Sequence, residues 1–222
     1  MQLLRKTALL LFVPLIVCAQ DQVQRDRHAI HALHTDPKAY IAALEDPSRE
    51  SYQKPNEVLD ALAIKPGEVV ADIGSGSGYF TLRLSNSAGV SGKVYAVDVS
   101  PDMIDHLKQR IRERGAKNVT PVLAAPDDPG LADASIDRIF ICDTWHHIDN
   151  QSHYLSLLKK ALRPGGQIIM IDFQKRELPV GPPVEMKIAR EDLIPQMEAS
   201  GFSLAQEHTF LPYQYFLVFV LR

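Results

Sequence analysis

From residue 55 onward, polar and apolar positions follow two alternating periods, short β-rich runs and longer amphipathic ones. Residues 68–73, 93–99, 119–124, 136–143 and 167–173 read as strands with few polar interruptions. Residues 56–63, 79–87, 101–114 and 151–162 read as helices, and Pro101 supplies a preformed first turn to one of them. Pro164-Gly165-Gly166 reads as a turn between the last of these helices and the strand that follows. Strands alternating with helices imply right-handed βαβ units and a parallel sheet covered on both faces. The tail breaks the alternation, with a helix at 190–200 and strands at 202–210 and 213–221. The short connection at Leu211-Pro212 joins only antiparallel strands. The expected fold is a doubly wound, Rossmann-like, seven-stranded sheet in three α/β/α layers. It is mostly parallel, with one antiparallel strand near the C-terminus.

The region before residue 55 has a different character. Arg5 and Lys6 precede an apolar run from Ala8 to Val17, too short for the ~20 residues that span a bilayer. Val17-Cys18-Ala19 follows, so residues 1–19 have the layout of a signal peptide cleaved after Ala19. The expectation is export to the periplasm or beyond, with membrane contact only through an uncleaved signal segment. Residues 20–54 are polar and read as a helical cap, followed by one domain over 55–222. His28, His31 and His34 recur every third residue, a spacing that fans them around a helix instead of gathering them on a metal. Only Cys18 and Cys142 occur, so the exported chain would hold one thiol and rest on its core. The net charge of -3 gives no reason to expect nucleic acid as the main partner, since a basic binding face normally pulls the balance the other way.

The chemistry-bearing segment is VVADIGSGSGYF, a strand, a glycine loop and a helix start. Gly74 and Gly76 permit a tight turn and close backbone approach to a ligand, and Gly78 lets the helix begin tightly against the strand. The next strand, KVYAVDVS, ends in Asp98, 24 residues after Gly74, where an acid reaches a ribose diol. The glycines run GxGxG, whereas the dinucleotide fingerprint is GxGxxG. Asp72 just before the loop is a poor neighbour for a diphosphate and a good one for an ammonium group.

VVADIGSGSGYF, then VYAVD, SIDRIFICDTWHHI and LRPGGQIIMIDF, resemble in order the motifs of class I S-adenosylmethionine-dependent methyltransferases. The likeness is to the small-molecule group that includes the ubiquinone/menaquinone C-methyltransferases, over 53–173. It implies S-adenosylmethionine as cofactor, a small-molecule acceptor, and cofactor contacts from Asp72, Gly74, Gly76 and Gly78. It gives Asp98 the ribose and Asp127, in Ala125-Pro126-Asp127-Asp128, the adenine amino group, while Val99 and Met103 pack on the adenine face. A solvated turn is the competing reading for Asp127 and Asp128.

The resemblance places Asp143-Thr144-Trp145-His146-His147 beside the transferred methyl group, Asp143 on the cofactor side. His147, with His146 behind it, has the titration range of an acceptor base. Each also reads as a packing residue, and Trp145 as pocket wall or core. Asp143 and Asp172 end neighbouring strands, but the third oxygen ligand of a Mg2+ site is missing, since Phe173 follows. No metal is expected. Tyr52 and Gln53 stand where a cap contacts the ligand, and Tyr213 and Tyr215 share a strand face, suiting a pocket or a core. Two further functions stay open: a non-catalytic protein binding S-adenosylmethionine or S-adenosylhomocysteine, and a nicotinamide-dependent oxidoreductase. The glycine spacing and the lack of a Tyr-x-x-x-Lys pair weigh against the latter.

Overall fold

A computed structural model of the protein describes residues 36–222. The signal segment at 1–19 and the histidines His28, His31 and His34 lie outside the described residues. The described residues open with three short helices, α1 (Pro37–Leu44), α2 (Glu50–Gln53) and α3 (Pro55–Leu62). Then follow β1 (Val69–Ile73), α4 (Thr81–Ala88), β2 (Lys93–Asp98), α5 (Pro101–Arg114), β3 (Val119–Leu123) and β4 (Ile136–Cys142). The chain continues with α6 (Gln151–Ala161), β5 (Leu162–Phe173), α7 (Arg190–Ala199), β6 (Phe202–His208) and β7 (Gln214–Leu221). Among the described residues, no helix is long and apolar enough to cross a membrane.

The seven strands form one sheet in the order β3-β2-β1-β4-β5-β7-β6. β1 through β5 run parallel, and β7 inserts antiparallel between β5 and β6, as the short Leu211-Pro212 link requires. The strand order reverses between β1 and β4, so the carboxyl ends of β1, β2 and β4 frame a crevice.

Alternate side chains of each strand enter two cores. On one face Ile139, Ile141, Met170 and Leu217 meet Leu155 and Leu158 of α6 and Leu193 and Met197 of α7. On the other, Val70, Phe140, Ile169 and Phe216 meet Val58 of α3, Leu84 of α4 and Leu107 of α5. The near-continuous apolar runs in the strands are the signature of a sheet buried on both faces. Helix α5 has its ends written locally. Ser100 accepts the Met103 N–H, Pro101 sits in the first turn, and Gly115 closes it at φ +63°.

One expectation needs correction. Pro164-Gly165-Gly166 is not a turn ahead of the strand but an excursion within β5, which already begins at Leu162. Ile136 pairs with Leu162 and Arg138 with Gln167, so five steps on β5 answer two on β4. Gly165, at φ +80°, accommodates this bulge.

Candidate active site

A cavity of about 320 Å3 opens at the reversal point, within the range of small-molecule sites. The glycine loop forms its floor. Gly74 and Ser75 donate their N–H groups to Val97 O of β2 at 2.8 and 3.0 Å. This folds the loop back over the sheet edge, with Gly74, Gly76 and Gly78 all at positive φ. A Cβ on Gly74 would fall within the Thr144 side chain. At Gly78 a further physical reason comes from outside the loop. A Cβ there would strike Leu107 of α5, so Gly78 also admits a helix of the following unit.

Asp98 lines the cavity at the end of β2. Its Oδ2 accepts the Gly76 N–H at 2.8 Å and its Oδ1 the Ser100 N–H at 2.9 Å. Each oxygen keeps lone-pair capacity for a further donor, as a diol would supply. Burial raises its pKa, against the N–H bonds from Ser100, Gly76 and Val99. Asp72, buried at the end of β1, accepts from Thr81 Oγ1 at 2.6 Å. Burial pushes its carboxyl up to about 7, with Thr81 opposing and Asp98 adding. A carboxyl so poised is stabilised as the anion when a cation arrives beside it. The Ser75 and Ser77 hydroxyls are buried in the same wall without hydrogen-bond partners. Buried polar groups are ordinarily paired, so these two suit a polar ligand. Val99, Met103, Ala124 and Pro126 add an apolar flank. This combination of acid, free hydroxyls and apolar wall fits an adenosyl group with a cationic amino-acid end.

The Asp127 assignment is corrected by its position. Asp127 is exposed in a turn and stands outside the cavity wall, which Pro126 occupies instead. Its neighbour Asp128 accepts the Gly130 N–H at 2.8 Å and so serves the turn.

The cavity's other side comes from β4, β5 and the helices before β1. Asp143 lies in the left-handed region at φ +53° and lines the cavity. Its Oδ1 accepts from Gln214 Nε2 at 2.7 Å, and Arg49 stands 3.9 Å from its Oδ2. Burial, helped by the nearby Asp172, pushes its carboxyl up to about 6. His147 lines the cavity and is exposed. His146 does not line it. Its side chain is 3% exposed, and its Nδ1 lies 2.9 Å from both oxygens of Asp172, which is 2% exposed. Burial lowers the His146 pKa, but its hydrogen bond to Asp172 and the charges of Asp172 and Asp143 raise it more, for a net rise. The two imidazole centroids are 4.2 Å apart.

Trp145 is core, 1% exposed, with Nε1 donating to Gln196. Tyr213 does not share a face with Tyr215. It precedes β7 and packs on Tyr52, which also packs on Phe173, whereas Tyr215 joins the α6–α7 core. Gln53 is fully buried and donates from Nε2 to Cys142 Sγ at 2.9 Å, a thiol that burial holds well above its usual range. Among the described residues, no three His, Cys, Asp or Glu side chains cluster as a metal site.

Several site residues carried no readable signal in sequence. Tyr40 and Leu44 of α1, with Arg49, cover the cavity. Arg49 also lies 4.5 Å from the Tyr79 ring centre. Gln214 reaches Asp143 across 71 positions. Thr81 alone was findable, as the hydroxyl residue opening the helix after the loop.

Residues 64–208, well over half of the chain, match the sequence model of a family described as a methyltransferase domain. The chain belongs to this family of methyltransferase domains. A crystal structure of a SAM-dependent methyltransferase from Aquifex aeolicus superposes with a TM-score of 0.80 at 29% identity, covering 84% of this chain and 99% of that one. The ubiquinone/menaquinone biosynthesis C-methyltransferase UbiE of Hahella chejuensis is 24% identical over 160 residues, 66% of this chain and 64% of that protein. Its namesake in Vibrio vulnificus is 28% identical over 118 residues, 53% of this chain and 45% of that one. The chain therefore spans between about half and two thirds of the length of these curated relatives. The methyltransferase sheet with its antiparallel β7 is the fold expected from the alternation of strands and helices.

Proposed function

We propose that this methyltransferase domain moves a methyl group from S-adenosylmethionine to a small-molecule acceptor. One observation carries the reading. Asp98, oriented by the N–H groups of Gly76 and Ser100, faces a cavity floored by a GxGxG loop at the sheet's reversal point. S-adenosylmethionine, when bound, supplies an activated methyl group on a cationic sulfur.

What remains for the chain is binding, orientation and proton handling. Asp98 holds the ribose hydroxyls, and Asp72 balances the cationic amino-acid end. Val99, Met103 and Pro126 flank the adenine. Tyr40, Leu44 and Arg49 wall the cavity on the side of the helices before β1. His147 is the cavity-facing base for an acceptor that must lose a proton, and Asp143 orders the wall beside it. His146 acts through position, because Asp172 fixes its ring beneath His147. We further propose that residues 1–19 direct export, on the strength of their basic start, apolar run and Val17-Cys18-Ala19 ending. N-terminal sequencing of the mature protein tests this, with Gln20 as the expected first residue and an intact Met1 as the contrary result.

A methyl-release assay over a panel of phenols, amines, thiols and activated carbon acids tests the transfer itself. Turnover of one class, lost in His147→Ala with S-adenosylhomocysteine affinity kept, is the expected outcome. Tight cofactor binding without turnover of any class favours the non-catalytic binding protein.

A further inference from the structure

A second concavity of about 1050 Å3 lies between α4 and α5, away from the glycine floor. Arg83, Lys93, Arg110, Arg114 and Lys117 line it, and its wall contains no Asp or Glu. In a chain of net charge -3 this is a marked local excess of positive charge. Two of the five cations are already engaged. Arg83 Nη2 meets Glu50 Oε1 at 2.5 Å, and Arg110 Nη1 meets Glu45 Oε1 at 2.9 Å. Both acids belong to the 36–54 arm whose Tyr40, Leu44 and Arg49 cover the cofactor cavity. Arg110 also donates to Ser77 O of the glycine loop at 2.8 Å, and Tyr79 lines both concavities. The other three cations form no ion pair among the described residues. Lys93 rests on the Tyr95 ring, and Arg114 and Lys117 are exposed. Aromatic platforms for stacked bases are lacking apart from Tyr79, whose ring Arg49 and Arg83 already cover.

We infer that this groove binds a small polyanion of the diphosphate type, and that its occupancy loosens the arm over the cofactor cavity. Lys93, Arg114 and Lys117 supply the uncompensated charge. The anion then competes with Glu50 for Arg83 and with Glu45 for Arg110. Both pairs are partly exposed, and such pairs contribute little individually, so a multiply charged anion displaces them readily. The two sites are then linked, and linkage is reciprocal: the anion weakens cofactor binding and the cofactor weakens anion binding. The groove stands without the cofactor reading; only the coupling rests on it.

Calorimetry with sodium pyrophosphate, at ionic strength held constant with sodium chloride, tests the site. The wild-type chain and an Arg114→Gln/Lys117→Gln variant are compared. Saturable one-site binding, weakened about tenfold or more in the variant, is the expected result. No saturable binding, or equal binding by both proteins, overturns the site. The coupling is read by titrating S-adenosylhomocysteine with and without saturating pyrophosphate, and by amide exchange over 36–54. Pyrophosphate should raise the S-adenosylhomocysteine Kd about fivefold in the wild type only and speed arm exchange. An unchanged Kd with unchanged arm exchange overturns the coupling. Should S-adenosylhomocysteine not bind at all, the cofactor reading fails by itself, and the pyrophosphate isotherm and the exchange data still decide this proposal.

Discussion

The two halves of the candidate site are built by different means. The half at β1 and β2 is made of backbone. Loop N–H groups fold onto Val97 O and onto Asp98, and glycines hold positive φ, all within the stretch from Asp72 to Ser100. The half at β4 and β5 is made of side-chain pairs between distant positions. His146 meets Asp172, Gln214 meets Asp143, and Gln53 meets Cys142, across 26, 71 and 89 residues. A backbone-built site tolerates changed surroundings but not changed glycines, and a pair-built site does the reverse.

The largest effect expected from this contrast falls on the paired half. Asp172→Ala leaves His146 buried without its partner, which costs about 3–5 kcal/mol of stability. Denaturant unfolding should show that loss, while S-adenosylhomocysteine affinity changes little. A large affinity loss would mean that the halves are not separable.

Next comes Asp72. Its folded carboxyl is raised to about 7, above an ordinary value near 3.8. Its contribution to stability is therefore fully present below about pH 4 and is lost as pH rises through 7. Asp72→Asn should be more stable than the wild type by roughly 4 kcal/mol at pH 8, with the difference vanishing near pH 4. A melting series across pH 4–8 reads this. A constant offset would place the titration elsewhere.

Asp98→Ala sharpens the cofactor side. Losing a charged acceptor for the ribose weakens S-adenosylhomocysteine by about 2 kcal/mol, or about 30-fold. The melting temperature falls too, because Gly76 N–H loses its acceptor. Unchanged affinity by calorimetry would remove Asp98 from the ribose.

The smallest expected effect isolates strain from collision. Gly74→Ala drives a Cβ into Thr144, and adding Thr144→Gly clears the space. What remains is alanine at φ +71°, about 1 kcal/mol measured by unfolding. Full rescue by the second change would show that only the collision mattered.

The same contrast explains what was legible in sequence. Strand and helix periods, GxGxG and Asp98 are local patterns, and the sheet order and backbone-built half follow from them. The β5 bulge was hidden because Pro164-Gly165-Gly166 looks the same whether it precedes a strand or interrupts one. Asp127 misled because an acid after β3 is equally a turn residue, and its neighbour Pro126 takes the wall. The contact that a side chain at Gly78 would make with Leu107 has no local signature, because Leu107 comes from another unit. The ties of Asp172, Gln214 and Arg49 have no local signature, since only the folded sheet brings them together.

The central claim is that the backbone-built half recognises an adenosyl group with a cationic amino-acid end, and not a dinucleotide. Calorimetric titration of the purified protein with S-adenosylhomocysteine and, separately, with NAD tests it most directly. Saturable one-site binding of S-adenosylhomocysteine with no heat from NAD is the result predicted here. Binding of NAD, or no binding of S-adenosylhomocysteine by the folded protein, would contradict it.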